Sequence, residues 1–338
     1  MESTSRKMEA APVRLAAVGR PVLSNSPPKA PSRAGVAISL FALYVIWGST
    51  YLAMRVAMQS FPPFRMGALR FLIAGATLLL FARSRGAALP TPVQWRNAAV
   101  IGTLLLAFGN GGVAYAEQTV GSGLAALVIS AMPLWMAGFS GLFGKWPSAG
   151  DWGALALGAL GIVLLNHGSD LRGSPAGMVA LLLASGSWAF GSLWSRRLDL
   201  PQGSMAAAAE MLAGGAVLYI LSLARGEQLS APPSWRSIAA LAYLIVFGSL
   251  LAYSAYLYLL ARVRPTVASS YAYVNPVIAM LLGAALGGES IQPMALLAMP
   301  LILASVAVVL RPRRSLPEAV EAEAGPVRAG GGTVVARR

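Results

Sequence analysis

The sequence predicts an all-α membrane protein of ten transmembrane helices, set as two inverted five-helix repeats. Three features carry that prediction: an apolar composition, ten apolar runs punctuated by Pro, Gly and charge, and an internal similarity between the two halves. Of 338 residues, 57% are hydrophobic and 11% charged, with a mean hydropathy of +0.65. Soluble domains carry about 25% charged residues, so a water-soluble fold is excluded. A polar head (1–33) and a polar tail (311–338) flank 277 residues that hold nearly all the apolar content. A span takes about 20 residues, because the hydrocarbon core is ~30 Å thick and a helix rises about 1.5 Å per residue, so with connections of roughly eight residues this block holds about ten.

The runs follow in order, each closed by a breaker or a charge cluster. Ala34 to Ala57 lies behind the charged head and has the length of a full span, so it is expected to remain as an uncleaved first helix rather than a signal peptide. Pro63 to Phe81 begins at a Pro-Pro pair and ends before Arg83 and Arg85, and Arg96 to Thr119 follows. Gly123 to Phe143 ends at Gly144-Lys145, and Asp151 to Leu165 completes the first half. Pro175 to Ser195 stops at Arg196-Arg197, and Ser204 to Ala224 stops at Arg225-Gly226. Ile238 to Leu260 lies between Arg236 and Arg262, Pro265 to Leu286 starts on its proline, and Pro293 to Leu310 ends at Arg311. Trp95, Trp146, Trp152 and Trp235 fall at span ends, where tryptophan anchors at the interface. The head and tail, rich in Pro, Ala, Gly, Ser and charge, read as disordered.

Lys and Arg collect on the cytoplasmic side of membrane proteins. Twenty of them fall on the side of the head and tail, against Arg65, Arg172, Arg225 and Arg236 on the other, with Arg55 and Arg70 inside spans. Both termini are therefore expected in the cytoplasm, which needs an even number of spans. The net charge of +14 follows from this asymmetry next to anionic lipid and does not call for nucleic acid.

Trp47-Gly-Ser-Thr in the first run has a counterpart in Trp188-Ala-Phe-Gly-Ser in the sixth, each followed at the same distance by an arginine, Arg55 and Arg196. The offset is 141, and it also matches Tyr115 with Tyr256; after a two-residue insertion, Gly123 to Pro133 matches Thr266 to Pro276. A five-span unit that is duplicated enters the membrane upside down the second time, which gives an inverted repeat and a site near the midplane between the halves.

Tyr44-Val-Ile-Trp47-Gly-Ser-Thr-Tyr51, Leu69-Arg70-Phe71 and Ala268-Ser-Ser-Tyr271-Ala-Tyr-Val-Asn-Pro276, continued by Leu281 to Glu289, resemble in order and spacing the first, second and ninth helices of the EamA branch of the drug/metabolite transporter superfamily. The chain departs from it at Lys145-Trp146, where many relatives carry an acidic residue, which removes the basis for a symmetric role of Glu289. The resemblance spans roughly residues 35 to 311 and implies EamA-like repeats over 34–166 and 175–310, between a cytoplasmic head and tail. It further implies a multi-pass carrier of a bacterial-type inner membrane that exports amino acids, other metabolites or drugs by alternating access. An importer of the same superfamily is the neighbouring alternative.

Catalysis has little to draw on: there is no cysteine, and the one histidine is His167. Thiol chemistry and Cys-ligated metals are excluded, and no phosphate-cradling GxxxxGK[ST] is present. An intramembrane enzyme, such as a lipid-modifying transferase, would need a pair of acids or a nucleophile and base at one depth, and Glu117 and Glu210 are expected at different depths. No catalytic residue, metal or cofactor is expected. A sensory or structural protein without a solute path remains a third reading.

Charge at the bilayer centre costs about 2.5–3.5 kcal/mol, so each polar residue in a span faces a cavity, a partner or an interface. Arg55 can snorkel. Arg70 and Glu117 are at comparable depth, as an ion pair or as substrate contacts. Glu210, among Ala206, Ala207, Ala213 and Gly214, is either a carboxyl that a proton-coupled carrier loads and unloads or an interhelical tie. Asn110 between glycines and Asn275-Pro276 interrupt their runs; Pro276 and its repeat partner Pro133 are candidate hinges. The expected substrate cavity is lined by Trp47, Thr50, Arg70, Asn110, Tyr115, Trp188, Tyr256, Tyr271 and Asn275, with Tyr253 and Tyr273 also inside spans. Its aromatic rings fit amphipathic or cationic solutes. Small residues four apart, such as Gly150, Ala154 and Gly158, or Gly283 and Gly287, mark close helix contacts, within one chain or in a homodimer.

Overall fold

The computed structural model describes residues 32–120, 125, 128–165, 174–229, 231–287 and 293–311. The elements among them are helices. In chain order they are α1 (Arg33–Ala57), α2 (Pro63–Ser84), α3 (Pro92–Ala116), α4 (Met132–Leu142), α5 (Ala149–Leu165), α6 (Pro175–Ser195), α7 (Ser204–Ala224), α8 (Trp235–Arg262), α9 (Tyr271–Gly287, after a single turn at Pro265–Ala268) and α10 (Pro293–Leu310). Six of them, α1 to α3 and α6 to α8, are long and apolar enough to cross a membrane. The expectations for the head and tail, His167 and Glu289 lie outside the described residues.

Local chemistry sets the helix starts. Ser32, Ser174 and Ser234 accept the N–H of Gly35, Gly177 and Ser237 at 3.0, 3.0 and 3.2 Å, capping α1, α6 and α8. Thr91 and Gln94 form a reciprocal capping box around Pro92, so α3 starts ahead of the expected Arg96. The start of α2 is capped from a distance: the Phe64 and Arg65 N–H groups donate to the Glu227 carboxylate, at 3.2 and 2.8 Å. A negative charge at this positive helix end ties the connection after α7 to α2.

Three helices contain widened π-helical turns: Leu43–Trp47 in α1, Thr103–Asn110 in α3 and Leu244–Leu251 in α8. The last two are eight residues long and 141 apart, the offset of the sequence repeat. Asn110 thus ends a widened stretch of a continuous helix, and its flanking glycines Gly109 and Gly112 lie in close contact with Trp188 and Ala184. Such turns loosen the backbone ladder, and neighbouring side chains take up carbonyls there: Leu104 O accepts Ser187 Oγ at 2.8 Å, and Gly248 O accepts Trp47 Nε1 at 3.1 Å.

Helix pairs that the repeat relates pack antiparallel. A Cβ at Gly67 would meet Leu218, one at Gly75 would meet Leu212, and one at Gly215 would meet Leu72, so numbering rises along α2 as it falls along α7. On α5 and α10, Ser305 Oγ donates to Ala154 O at 2.6 Å while Gly161 faces Ile302. The small residue Gly158 packs against Ser305 and Tyr273 of the same chain. α3 lies antiparallel on α6, with Gly109 against Trp188 and Gly112 against Ala184. In the same sense α8 lies on α1, joined by Trp47 to Gly248 and by Ser49 to Tyr243 at 2.6 Å. Between α3 and α7 the backbones touch: a Cβ at Gly214 would stand 2.6 Å from the Gly102 carbonyl oxygen.

Candidate functional site

One face of α1 presents Trp47, Thr50, Tyr51 and Met54, a stripe at helical spacing, toward the centre. Opposite it stand Gly109, Asn110 and Val113 of α3, Ala184, Ser185 and Trp188 of α6, Tyr271 and Asn275 of α9, Met132 of α4 and Arg70 of α2. These residues line a cavity that is partly open to solvent. Seven of the nine expected lining residues meet there: Trp47, Thr50, Arg70, Asn110, Trp188, Tyr271 and Asn275.

The cavity has an aromatic floor. The Trp47 ring lies 4.7 Å from Tyr271, 5.3 Å from Tyr256 and 5.5 Å from Trp188 between centroids, and Trp188 lies 5.6 Å from Tyr256. Such tilted and edge-on contacts fit the ring quadrupoles. Tyr256 is fully buried beneath this layer, its hydroxyl 2.5 Å from Ser192 Oγ, and does not line the cavity. Leu40, Leu43, Leu259 and Leu260 fill the core around and below it. The lining residues run the other way, along α1 from Trp47 to Met54, toward the end where α1 finishes and α2 and α6 begin.

Tyr115, the repeat partner of Tyr256, lies apart from the cavity. It stacks on Phe64 at 6.0 Å with its ring nearly parallel, and the Arg225 guanidinium sits 5.1 Å over it. The residues related by the repeat therefore occupy unlike places, one packed under the floor and one on the far side of the cavity.

Arg70 is 3% exposed. Its Nε donates to Ser249 Oγ at 2.7 Å and its Nη1 reaches Asn110 Oδ1 at 3.5 Å, while Nη2 has no protein partner among the described residues. Gly248 makes the room, because a Cβ there would stand 2.8 Å from Nη2. The guanidinium therefore turns toward α8, and the ion pair with Glu117 does not form. Among the described residues the carboxylate ion pair is Arg264 with Asp151 at 3.1 Å, away from the cavity. Glu117 follows the last turn of α3, and its buried Oε2 has no hydrogen-bond partner among the described residues.

A further buried atom without a hydrogen-bond partner among the described residues belongs to a cavity residue: Asn275 Oδ1, an acceptor. Glu210 is 1% exposed and takes a 2.7 Å hydrogen bond from the Tyr253 hydroxyl, outside the cavity lining. Pro276 stands inside α9, whereas Pro133 occupies the first turn of α4, where a proline costs no helical hydrogen bond. Tyr51, Met54 and Met132 were not singled out from sequence. The stripe starting at Trp47 would have given the first two. The Ser249 contact joins distant helices and leaves no local signal. Among the described residues no three His, Cys, Asp or Glu side chains gather as a metal site would require.

The family model described as "EamA-like transporter family" matches residues 35–167 and 175–311, one stretch in each half. The chain is 49% identical over 272 residues to the "Uncharacterized inner membrane transporter YedA" of Escherichia coli strain K12, covering 80% of this chain and 89% of that protein. It is 30% identical to "Protein PecM" of Dickeya dadantii, over 72% of this chain and 82% of that one. A crystal structure described only as "Crystal structure of protein" superposes with a TM-score of 0.70 at 23% identity, covering 82% of this chain and 97% of that chain. At that identity the match speaks for the fold alone.

Proposed function

We propose that this chain, which belongs to the EamA-like transporter family, is a secondary carrier of the inner membrane that exports small metabolites by alternating access. The observation that carries the mechanism is the cavity lining: polar and aromatic residues from helices of both halves, running from the stacked rings of Trp47, Trp188, Tyr256 and Tyr271 toward one end of the bundle.

Ten spans in two inverted repeats fit the antiparallel packing of α2 on α7 and α5 on α10, and the widened turns of α3 and α8 at equal offset. Inverted repeats supply two packings of similar energy, one open to each face. With both termini cytoplasmic, as the Lys and Arg distribution favours, the state described here faces outward. Tyr256, bonded to Ser192 under the floor, closes the cytoplasmic side. In the opposite state Tyr115 takes the equivalent place and the Trp47–Trp188 pair becomes the floor of an inward cavity. Pro276 gives α9 a point at which to bend.

Trp47, Thr50, Arg70, Asn110, Trp188, Tyr271 and Asn275 contact the solute, and Tyr115 and Tyr256 act as gates. Glu210, sealed here with Tyr253, becomes reachable when the cytoplasmic side opens, and there it couples proton movement to export. Glu117, with its unsatisfied oxygen near the outer end of α3, is a second carboxyl on the opposite path. Reporter fusions at both termini and in the connection at Ser169 test the arrangement. Cytoplasmic ends with an external connection are expected, and any other pattern removes the inverted repeat. Efflux from cells loaded with a panel of amino acids and related solutes tests the function, and no flux above empty-vector cells across that panel would contradict it.

A further inference from the structure

We infer that the cavity selects a carboxylate: its solute is an organic anion or zwitterion, with an apolar or aromatic body, whose carboxylate pairs with Arg70. The inference rests on the reading of this cavity as the transport site. A guanidinium presents five N–H donors in a planar fork. Here one donor is held by Ser249 and a second reaches Asn110 only at 3.5 Å, which leaves Nη2 without a protein acceptor. A cation that is 3% exposed within a membrane protein normally has an anion beside it. No acidic residue lines this cavity among the described residues. Ser249 and Asn110 approach from two other helices and fix the plane of the fork, and Gly248, without a side chain, leaves the room that Nη2 occupies. A carboxylate is the planar two-oxygen group that such a fork binds.

An orphaned atom completes the description. Asn275 Oδ1, in the same cavity, has no donor among the described residues. A solute with an amino or hydroxyl group beside its carboxylate supplies that donor. Trp47, Met54, Met132 and Tyr271 then hold the apolar body. On this proposal the same charge disfavours the organic cations that the aromatic lining alone would fit. A cationic amine placed over the Trp or Tyr rings would share a desolvated space with Arg70 and be repelled.

Matched probes test this on the purified full-length protein. Phenylalanine, phenyllactate and phenylacetate carry the carboxylate. Phenethylamine has the same ring with only the cation. Binding is followed by calorimetry and by quenching of tryptophan fluorescence. The carboxylates are expected to bind, phenethylamine is not, and Arg70→Gln is expected to weaken the carboxylates by at least about thirtyfold. Arg70→Lys should recover part of that loss, and Ser249→Ala should weaken binding less than Arg70→Gln. Equal or tighter binding of phenethylamine, undiminished binding by Arg70→Gln, or no binding of any probe at millimolar concentration overturns the inference. If Arg70→Gln does not fold, the comparison of carboxylate and amine on the unaltered protein decides alone. Flux in proteoliposomes separates the two levels. Arg70-dependent binding without flux refutes the carrier and leaves the carboxylate site standing. Flux of a carboxylate that is indifferent to Arg70→Gln refutes the site and leaves the carrier.

Discussion

Gly214→Ala offers a sharp test of how the two halves are joined. An added Cβ would stand 2.6 Å from the Gly102 carbonyl oxygen and 2.9 Å from Leu106 Cβ, atoms fixed to the backbone of α3 that cannot rotate away. Ordinary contact lies near about 3.4 Å, so α3 and α7 must part by roughly 0.8 Å. Forcing a methyl into a packed contact costs about 1–3 kcal/mol. The same substitution at Gly138, where nothing lies within 4 Å of the new Cβ, gains the same helix propensity without the clash. The difference between the two variants therefore isolates the packing cost. Thermal unfolding in one detergent at one protein concentration should place Gly214→Ala below Gly138→Ala by an amount equivalent to about 1–3 kcal/mol. Gly214→Ala at or above Gly138→Ala in stability would mean that α3 and α7 do not cross here.

Three further outcomes follow from the same geometry. Glu210→Gln should leave equilibrium binding of a cavity ligand unchanged while export loses its dependence on the proton gradient, read in proteoliposomes with and without an imposed gradient. Export as gradient-driven as in the unaltered protein would assign Glu210 to structure alone. Tyr253→Phe removes the donor to Glu210 and should lower thermal stability by about 1–3 kcal/mol, the cost of a buried acceptor left unmatched. In Glu210→Leu, where no acceptor remains, it should cost much less. Thr91→Ala deletes one arm of the capping box of α3 and should cost about 1 kcal/mol in the same assay, with ligand binding unaffected.

Helix positions were readable because each boundary has a local cause. Pro175, Ser204 and Pro293 open α6, α7 and α10 where the residue types place them, and the capping pair Thr91 and Gln94 shows that the start of α3 was readable too, although the charged Arg96 drew the boundary inward. The likeness of the two halves was readable because matched positions keep similar residues at an offset of 141, or 143 after the two-residue insertion. What the repeat cannot convey is the difference between its halves in a single conformation. Tyr115 and Tyr256 match in sequence, yet one is buried under the aromatic floor and the other stacks on Phe64, because a cavity that extends toward one face places equivalent residues in unlike surroundings. The setting of Arg70 was hidden for a different reason. Aromatic residues are visible singly, whereas the placing of Arg70 depends on Ser249 and Gly248, which lie far along the chain and reach it only by packing.

The chain has no cysteine, so single cysteines report accessibility without a background. Met54 lines the cavity and Leu43, one helical turn before Trp47, is fully buried in the core. Labelling of Met54→Cys and Leu43→Cys by an impermeant thiol reagent, in right-side-out and inverted vesicles with and without a transported solute, measures which face the hollow meets. Alternating access predicts that Met54→Cys reacts from outside, that Leu43→Cys is protected, and that conditions driving transport lower the first rate and raise the second together. Rates that stay fixed, or that rise and fall in parallel, would contradict it.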